Sequence, residues 1–195
     1  MNKLIVAAIL LMFSPTCKSQ EIQSFDSKKF SLKTGAGYFN CLPAGSNGTT
    51  IWLEGSRRLS TDFEITLKLQ HSQSYMTLDD SWGPWAGQKK PDVFYVVDLS
   101  FSRPLKIGNY QFLEIGIGIL YERSYSWLPA VEYNNGNPYL NYNFESKMDD
   151  LGMSLKLDYH YRFNNGFILG CRAQTCYVTG MFEGLAITPI LGFRF

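Results

Sequence analysis

The chain has 195 residues, enough for one domain, with a formal net charge of +1, 15% aromatic residues and 17 glycines. So small an excess of Lys and Arg argues against a phosphate-binding surface, and therefore against a nucleic-acid partner. The aromatic and glycine content, with few long helical patterns, points to an all-β class.

The opening residues, MNKLIVAAILLMFSPTCKSQ, place a lysine before an apolar run from Leu4 to Phe13 and end in small and polar residues. This is the pattern of a secretory signal peptide, its apolar part too short to span a bilayer. Cleavage after Ser19 leaves residues 20–195 as a single domain near neutrality. Cys17 offers a competing lipidation site, but Ser14, Pro15 and Thr16 lack the leucine and small-residue context such a site uses. No later run reaches the roughly 20 apolar residues of a membrane helix. Entry into a membrane would therefore be by strands. Cys41, Cys171 and Cys176 are odd in number and scattered, which favours packing over a disulfide framework or a zinc site.

A first strand is expected over residues 29–41, with Phe30, Leu32, Ala36 and Tyr38 on one face and Lys33, Gly35 and Gly37 on the other. After the turn-rich PAGSNG, a second strand over 49–59 sets Ile51, Leu53 and Leu59 against Glu54, Ser56 and Arg58. The third, 63–76, opposes Phe63, Ile65, Leu67 and Leu69 to Glu64, Thr66, Lys68 and Gln70. A long polar and aromatic loop covers 79–92. The fourth strand, 93–102, opposes Tyr95, Val97, Leu99 and Phe101 to Asp98, Ser100 and Ser102, and a short turn follows.

The fifth strand, 110–124, carries Leu113, Ile115, Ile117, Ile119 and Tyr121 opposite Glu114, Gly116, Gly118 and Glu122. Residues 125–148, rich in Asn, Tyr and Pro, read as the longest irregular stretch. The sixth strand, 151–163, alternates without an error: Leu151, Met153, Leu155, Leu157, Tyr159, Tyr161 and Phe163 against Lys156, Asp158, His160 and Arg162. Asn164, Asn165 and Gly166 form a hairpin turn. The seventh strand, 167–178, places Cys171 and Cys176 on opposite faces. The eighth, 184–195, sets Leu185, Ile187, Leu191, Phe193 and Phe195 against Ala186, Thr188, Gly192 and Arg194, with Pro189 predicting a local gap in the ladder.

Connections are long after strands one, three and five and short after two, four and six, the asymmetry of an up-and-down membrane barrel. Alternation alone also fits a soluble sandwich or a lipocalin-like barrel with its apolar face inward. Against these, the polar faces combine glycines with charges, as a narrow interior requires. Tyr159, Tyr161 and Phe163, like Phe193 and Phe195, also gather at strand ends as at a lipid boundary. At Gly192-Phe193-Arg194-Phe195 the chain resembles the outer-membrane β-barrel families, and its overall pattern looks like the eight-stranded OmpA/OmpX-like and PorT-like barrels. The resemblance implies an eight-stranded antiparallel up-and-down transmembrane barrel in a Gram-negative-type outer membrane. It further implies contact with outer-membrane lipid, and recognition by the barrel-assembly machinery through Thr188, Phe193 and Phe195. Ile190 stands where that signal usually has glycine.

Eight strands leave an interior just wide enough for side chains. Lys33, Arg58, Lys68, Lys156, Arg162, Arg172 and Arg194 are expected there with Glu54, Glu64, Asp98, Glu114, Glu122 and Asp158, together with His160. Such charges must pair in a low-dielectric interior, giving a plug in place of an open channel. Trp82, Trp85, Trp127, Tyr133, Tyr139 and Tyr142 lie among Asn, Gly and Pro in the long connections, and binding of a surface ligand or protein through them is the leading functional expectation. The role is read as structural or adhesive, without catalysis and without a cofactor or metal. Two alternatives are a soluble periplasmic lipid-binding barrel and a membrane-embedded lipid A-modifying enzyme using His71. The His-x-Ser spacing of such deacylases is absent, and parity sends His71 and Ser72 to opposite faces.

Overall fold

Strands with one apolar face must bury or cover it, and the computed structural model shows them closed into a single antiparallel sheet in which each strand pairs with the next and the last with the first. It describes residues 29–42, 45–60, 63–77, 80–85, 87, 89–135, 137–178 and 180–195, so the expected leader with Cys17 and Ser19 lies outside the described residues. The strands are β1 (Phe30–Cys41), β2 (Ser46–Arg58), β3 (Glu64–Thr77), β4 (Lys89–Lys106), β5 (Gln111–Asn134), β6 (Asn137–Arg162), β7 (Phe167–Val178) and β8 (Met181–Arg194). Phe30 and Phe195 exchange main-chain hydrogen bonds of 3.1 and 2.9 Å, shutting the sheet between β1 and β8. Closure removes the edges that would otherwise leave backbone groups unpaired in lipid.

The pleat turns successive side chains to opposite sides of the wall. Leu32, Ile51, Leu53, Leu67, Leu69, Val97, Leu99, Leu157, Leu169, Ile187 and Leu191 are exposed on the outside, while Lys33, Glu54, Lys68, Asp98, Glu114, Lys156, Asp158 and Arg172 are buried inside. This is the reverse of a lipocalin-like polarity. Exposed aromatics gather at both ends of the wall. Phe30, Phe163, Phe167, Phe193 and Phe195 surround the short turns, and Tyr38, Tyr75, Tyr95 and Tyr121 lie towards the other end. At the short-turn end, Gly166 takes a φ of 97° and donates to the Phe163 carbonyl, closing the Asn164–Gly166 turn.

Strand β7 has the bounds expected from sequence; β2 begins earlier, at Ser46, β4 runs on through the expected turn to Lys106, β8 begins at Met181, and two stretches differ in kind. A 3-10 turn occupies Asp80–Trp85, and β4 begins at Lys89, within what reads as loop. The larger correction concerns residues 125–148, which are not irregular: β5 and β6 continue through them to an Asn134↔Asn137 pair, leaving a two-residue turn in which Asn135 has a φ of 51°. Asn-Gly at 135–136 is a tight-hairpin signal. Because β5 leaves β4 at Val93↔Tyr125 and β6 leaves β7 at Gly152↔Val178, the two strands then stand beyond the wall as a ribbon. Consecutive side chains at 131–135, 137–139 and 147–149 are exposed, so nothing there enforces the alternation by which strands are read from sequence. The β1–β8 ladder is interrupted between Thr34↔Leu191 and Tyr38↔Ile187, at Pro189, which has no N–H to donate.

Candidate functional site

Register sets the charge pattern of the lumen. Lys33 faces Glu54, Glu54 faces Lys68 and Lys68 faces Asp98, so four adjacent strands carry alternating signs in one inward row. On the opposite wall Glu114 faces Asp158, a like-charged neighbour pair that alone would repel, and Asp158 faces Arg172. Cations reaching across the lumen resolve that repulsion. Lys33 Nζ lies 2.8 Å from Glu114, 3.4 Å from Glu54 and 3.8 Å from Asp158. Lys156 Nζ lies 3.3 Å from both Glu54 and Glu114. Arg172 clamps Asp158 through Nε and Nη2, both at 2.7 Å, and reaches Glu54 with Nη1 at 2.7 Å. The fork geometry makes this the strongest contact of the cage.

Two smaller groups flank it. Towards the short turns, Glu64 accepts from Arg194 at 3.2 Å and Arg162 at 3.4 Å, and the Arg162 guanidinium lies 4.2 Å over the Phe112 ring. On the other side Lys68 lies 3.5 Å from Asp98, which also accepts from Gln174. Arg58 stays at the mouth and donates to the Ser60 carbonyl, and Glu122 is buried above the cage. Side chains that the polar inventory does not contain complete the filling. Trp52 lies beneath Arg172 at 4.1 Å and donates to Thr188 at 2.9 Å. Val96, Leu120, Cys176 and Val178 form one apolar cluster, and Phe39, Cys41, Phe94 and Ala186 another. The same parity that puts Glu54, Asp98 and Glu122 inside puts Trp52, Val96 and Leu120 there. Parity was the available signal; apolar character hid it.

Glu114, Asp158 and His160 bring ligand atoms within 4.8 Å of one another. Cations already stand among them: Lys33 sits against both carboxylates, and Arg162 Nε donates to His160 Nε2 at 2.8 Å. The trio belongs to the ion cage, and a divalent cation there would be added to Lys33, Lys156, Arg162 and Arg172. His71 is turned outwards, 4.9 Å from the Tyr95 ring and 3.2 Å from Gln73, while Ser72 is fully buried inside and donates to Thr50. The wall of the barrel separates the two groups, so they cannot act on one substrate.

Outside the wall, Tyr133 and Tyr139 lie on the ribbon, with Tyr133 73% exposed. Glu132 accepts from Tyr139 Oη and Asn141 Nδ2, each at 2.6 Å, and these donors hold its carboxyl below the usual carboxylate value. Trp82 and Trp85 are half-buried in the Asp80–Trp85 turn. Trp127 and Tyr142 are strand residues of the ribbon whose side chains lie outside the described ones. Thr188 points inwards, and Phe193 and Phe195 outwards.

No family model and no curated protein sequence matches the chain. Solved structures do share its fold. Neisserial surface protein A superposes with a TM-score of 0.61 at 10% identity, covering 85% of this chain and 97% of that one. The N-terminal β-barrel domain of Pseudomonas aeruginosa OprF gives 0.54 at 11%, covering 86% and 98%. Ail, the attachment invasion locus protein of Yersinia pestis, solved with the heparin analogue sucrose octasulfate, gives 0.51 at 9%, covering 87% and 100%. The chain thus has the eight-stranded barrel fold found in outer-membrane proteins.

Proposed function

We propose that the chain is an integral outer-membrane barrel with an ion-paired plug in its lumen, and that its β5–β6 ribbon is an adhesive or surface-binding element. The observation that carries this is the ribbon itself. It continues beyond Tyr125 for the nine residues to Asn134, about 30 Å at strand rise, on a wall whose apolar face points out. A binding element on a rigid scaffold loses little entropy on engagement. The exposed outer face supports contact with outer-membrane lipid, Phe193 and Phe195 beside the closing seam support recognition by the barrel-assembly machinery, and the leader supports export with cleavage after Ser19.

Ail is solved with a sulfated heparin analogue. Residues 125–150 here carry Glu132, Glu145, Asp149 and Asp150 against Lys147, so a polyanion is not the ligand this ribbon suits. The test is membrane fractionation with heat-modifiable gel migration, followed by comparison of intact cells with cells whose residues 126–148 are replaced by a short turn. The expected result is an outer-membrane barrel in both and surface binding only in the first. Recovery as a detergent-free soluble monomer would overturn the reading.

A further inference from the structure

A ribbon of two strands has two open edges, and in this one they are unequal. On the β5 side, the edge is broken by Pro129, which has no N–H. A proline keeps an exposed edge from pairing. The register shift between Leu128↔Phe144 and Ala130↔Asn141 puts its extra residue on β6, above Phe144. On the β6 side the chain runs without proline from 139 to 151, and its register with β5 is continuous from Tyr161 to Phe144. The direction of each β6 amide follows from the base of the strand. Arg162 N–H donates towards β5, to Tyr110 at 2.8 Å, and Phe163 N–H donates towards β7, to Phe167 at 2.8 Å. Alternate amides of an antiparallel strand point the same way. Beyond Gly152↔Val178, where β7 ends its pairing, Glu145, Lys147 and Asp149 therefore turn their N–H and C=O groups to an edge with no further ladder partner among the described residues.

We infer that this β6 edge is a strand-addition site for a cationic, extended peptide segment of a partner protein, which pairs with Glu145, Lys147 and Asp149 through main-chain hydrogen bonds. The inference rests on the reading of the ribbon as the binding element and names its partner. Strand addition supplies affinity through the backbone, and the flanking side chains select charge. Asp149 is neutralised by Arg123, with 2.6 Å between Nε and Oδ1, which leaves Glu132, Glu145 and Asp150 against Lys147. The local field is acidic and attracts a basic segment. A second copy does not fit. Two barrels inserted the same way in one membrane bring their β6 edges together running in one direction with equivalent residues opposite, which neither ladder geometry accepts.

The test uses the full chain in phosphatidylcholine nanodiscs with short peptides that alternate lysine and valine, and their glutamate counterparts, followed by binding and amide hydrogen exchange. The lysine peptide is expected to bind more tightly and to slow exchange at Glu145, Lys147 and Asp149 by about tenfold, while the amides of 144, 146 and 148 change little because they already face β5. Lys147→Pro, which removes an edge donor, is expected to weaken binding about tenfold, and Lys147→Ala, which keeps it, to bind at least as well as wild type. Equal binding by the two variants, preference for the glutamate peptide, protection confined to other residues, or no binding would each overturn the inference. Should Lys147→Pro lose the ribbon, the exchange pattern of the wild type decides alone. Surface binding that survives replacement of residues 126–148 refutes the underlying reading as well; binding that needs the ribbon but shows no protection of this edge refutes only the strand-addition site.

Discussion

The same two strands, β5 and β6, live in two environments. Between Gln111 and Ser124 on β5, and between Leu151 and Arg162 on β6, one face meets the outside of the barrel and the other the lumen, and the residues split into Ile117, Ile119, Leu155 and Leu157 against Glu114, Lys156 and Asp158. Above Tyr125 the strands continue with unbroken pairing to Phe144, yet at 131–135, 137–139 and 147–149 consecutive side chains are exposed and the split disappears. Backbone geometry is shared; only the solvent on each side differs. Binary pattern reports that solvent difference, and strand character is its by-product.

The largest effect that would sharpen this contrast is expected inside the wall. Glu54→Leu removes the carboxylate shared by Lys33, Lys156 and Arg172 and strands buried cations, so unfolding in urea from lipid vesicles is expected to show a loss of about 3–5 kcal/mol. A loss below 1 kcal/mol would mean the cage is hydrated. On the outer face, Leu99→Arg is expected to cost about 2–4 kcal/mol in the same assay, whereas Tyr133→Arg on the ribbon costs almost nothing. Equal costs would erase the distinction between the regions. Gly118→Val comes next: a Cβ there would lie 2.4 Å from Asp98 Oδ1 and 2.7 Å from Ser100 Cβ, so overpacking of about 1–3 kcal/mol is expected.

The smallest effect belongs to the ribbon tip. Glu132 has its pKa lowered from 4.5, with the hydrogen bond from Tyr139 as first cause and that from Asn141 as second. A depressed carboxyl contributes order that is present above its ordinary pKa and lost as pH falls through the lowered one. Amide exchange at the ribbon tip is therefore expected to quicken as pH falls below 4.5, while the wall amides hold. Glu132→Gln should abolish that pH response with no change in heat-modifiable migration.

Legibility in the sequence follows the same division. The eight strands, the bounds of β7 and the inward turn of Lys33, Glu54, Lys68 and Arg172 can be read because each residue's neighbour faces a different medium, whereas Arg58, at the end of β2, stays at the mouth. The ribbon cannot be read that way, although Asn135 and its neighbouring glycine announce a hairpin turn. Lumen residues Trp52, Val96 and Leu120 obey parity but are the wrong chemical type for a polar interior, so only the register exposes them. Which cation meets which carboxylate is also invisible in one dimension. Lys33 and Glu114 are 81 residues apart, and the barrel's circumference decides that they touch.

The seam between Phe30 and Phe195 has a consequence in time. Pairing Ser31 with Arg194 joins nearly the two ends of the described chain, the slowest kind of contact to make, because the whole intervening loop must first be organised. Until that seam shuts, an open sheet of eight strands has water on the face that bears Lys33, Glu54 and Arg172, and those groups have no dry partner to gain. Arg194 reaches Glu64 only from the closed ring. Sealing the first strand to the last is therefore also what brings Arg194 to Glu64 and closes the charged interior, so the seam and the ion pairs depend on one another.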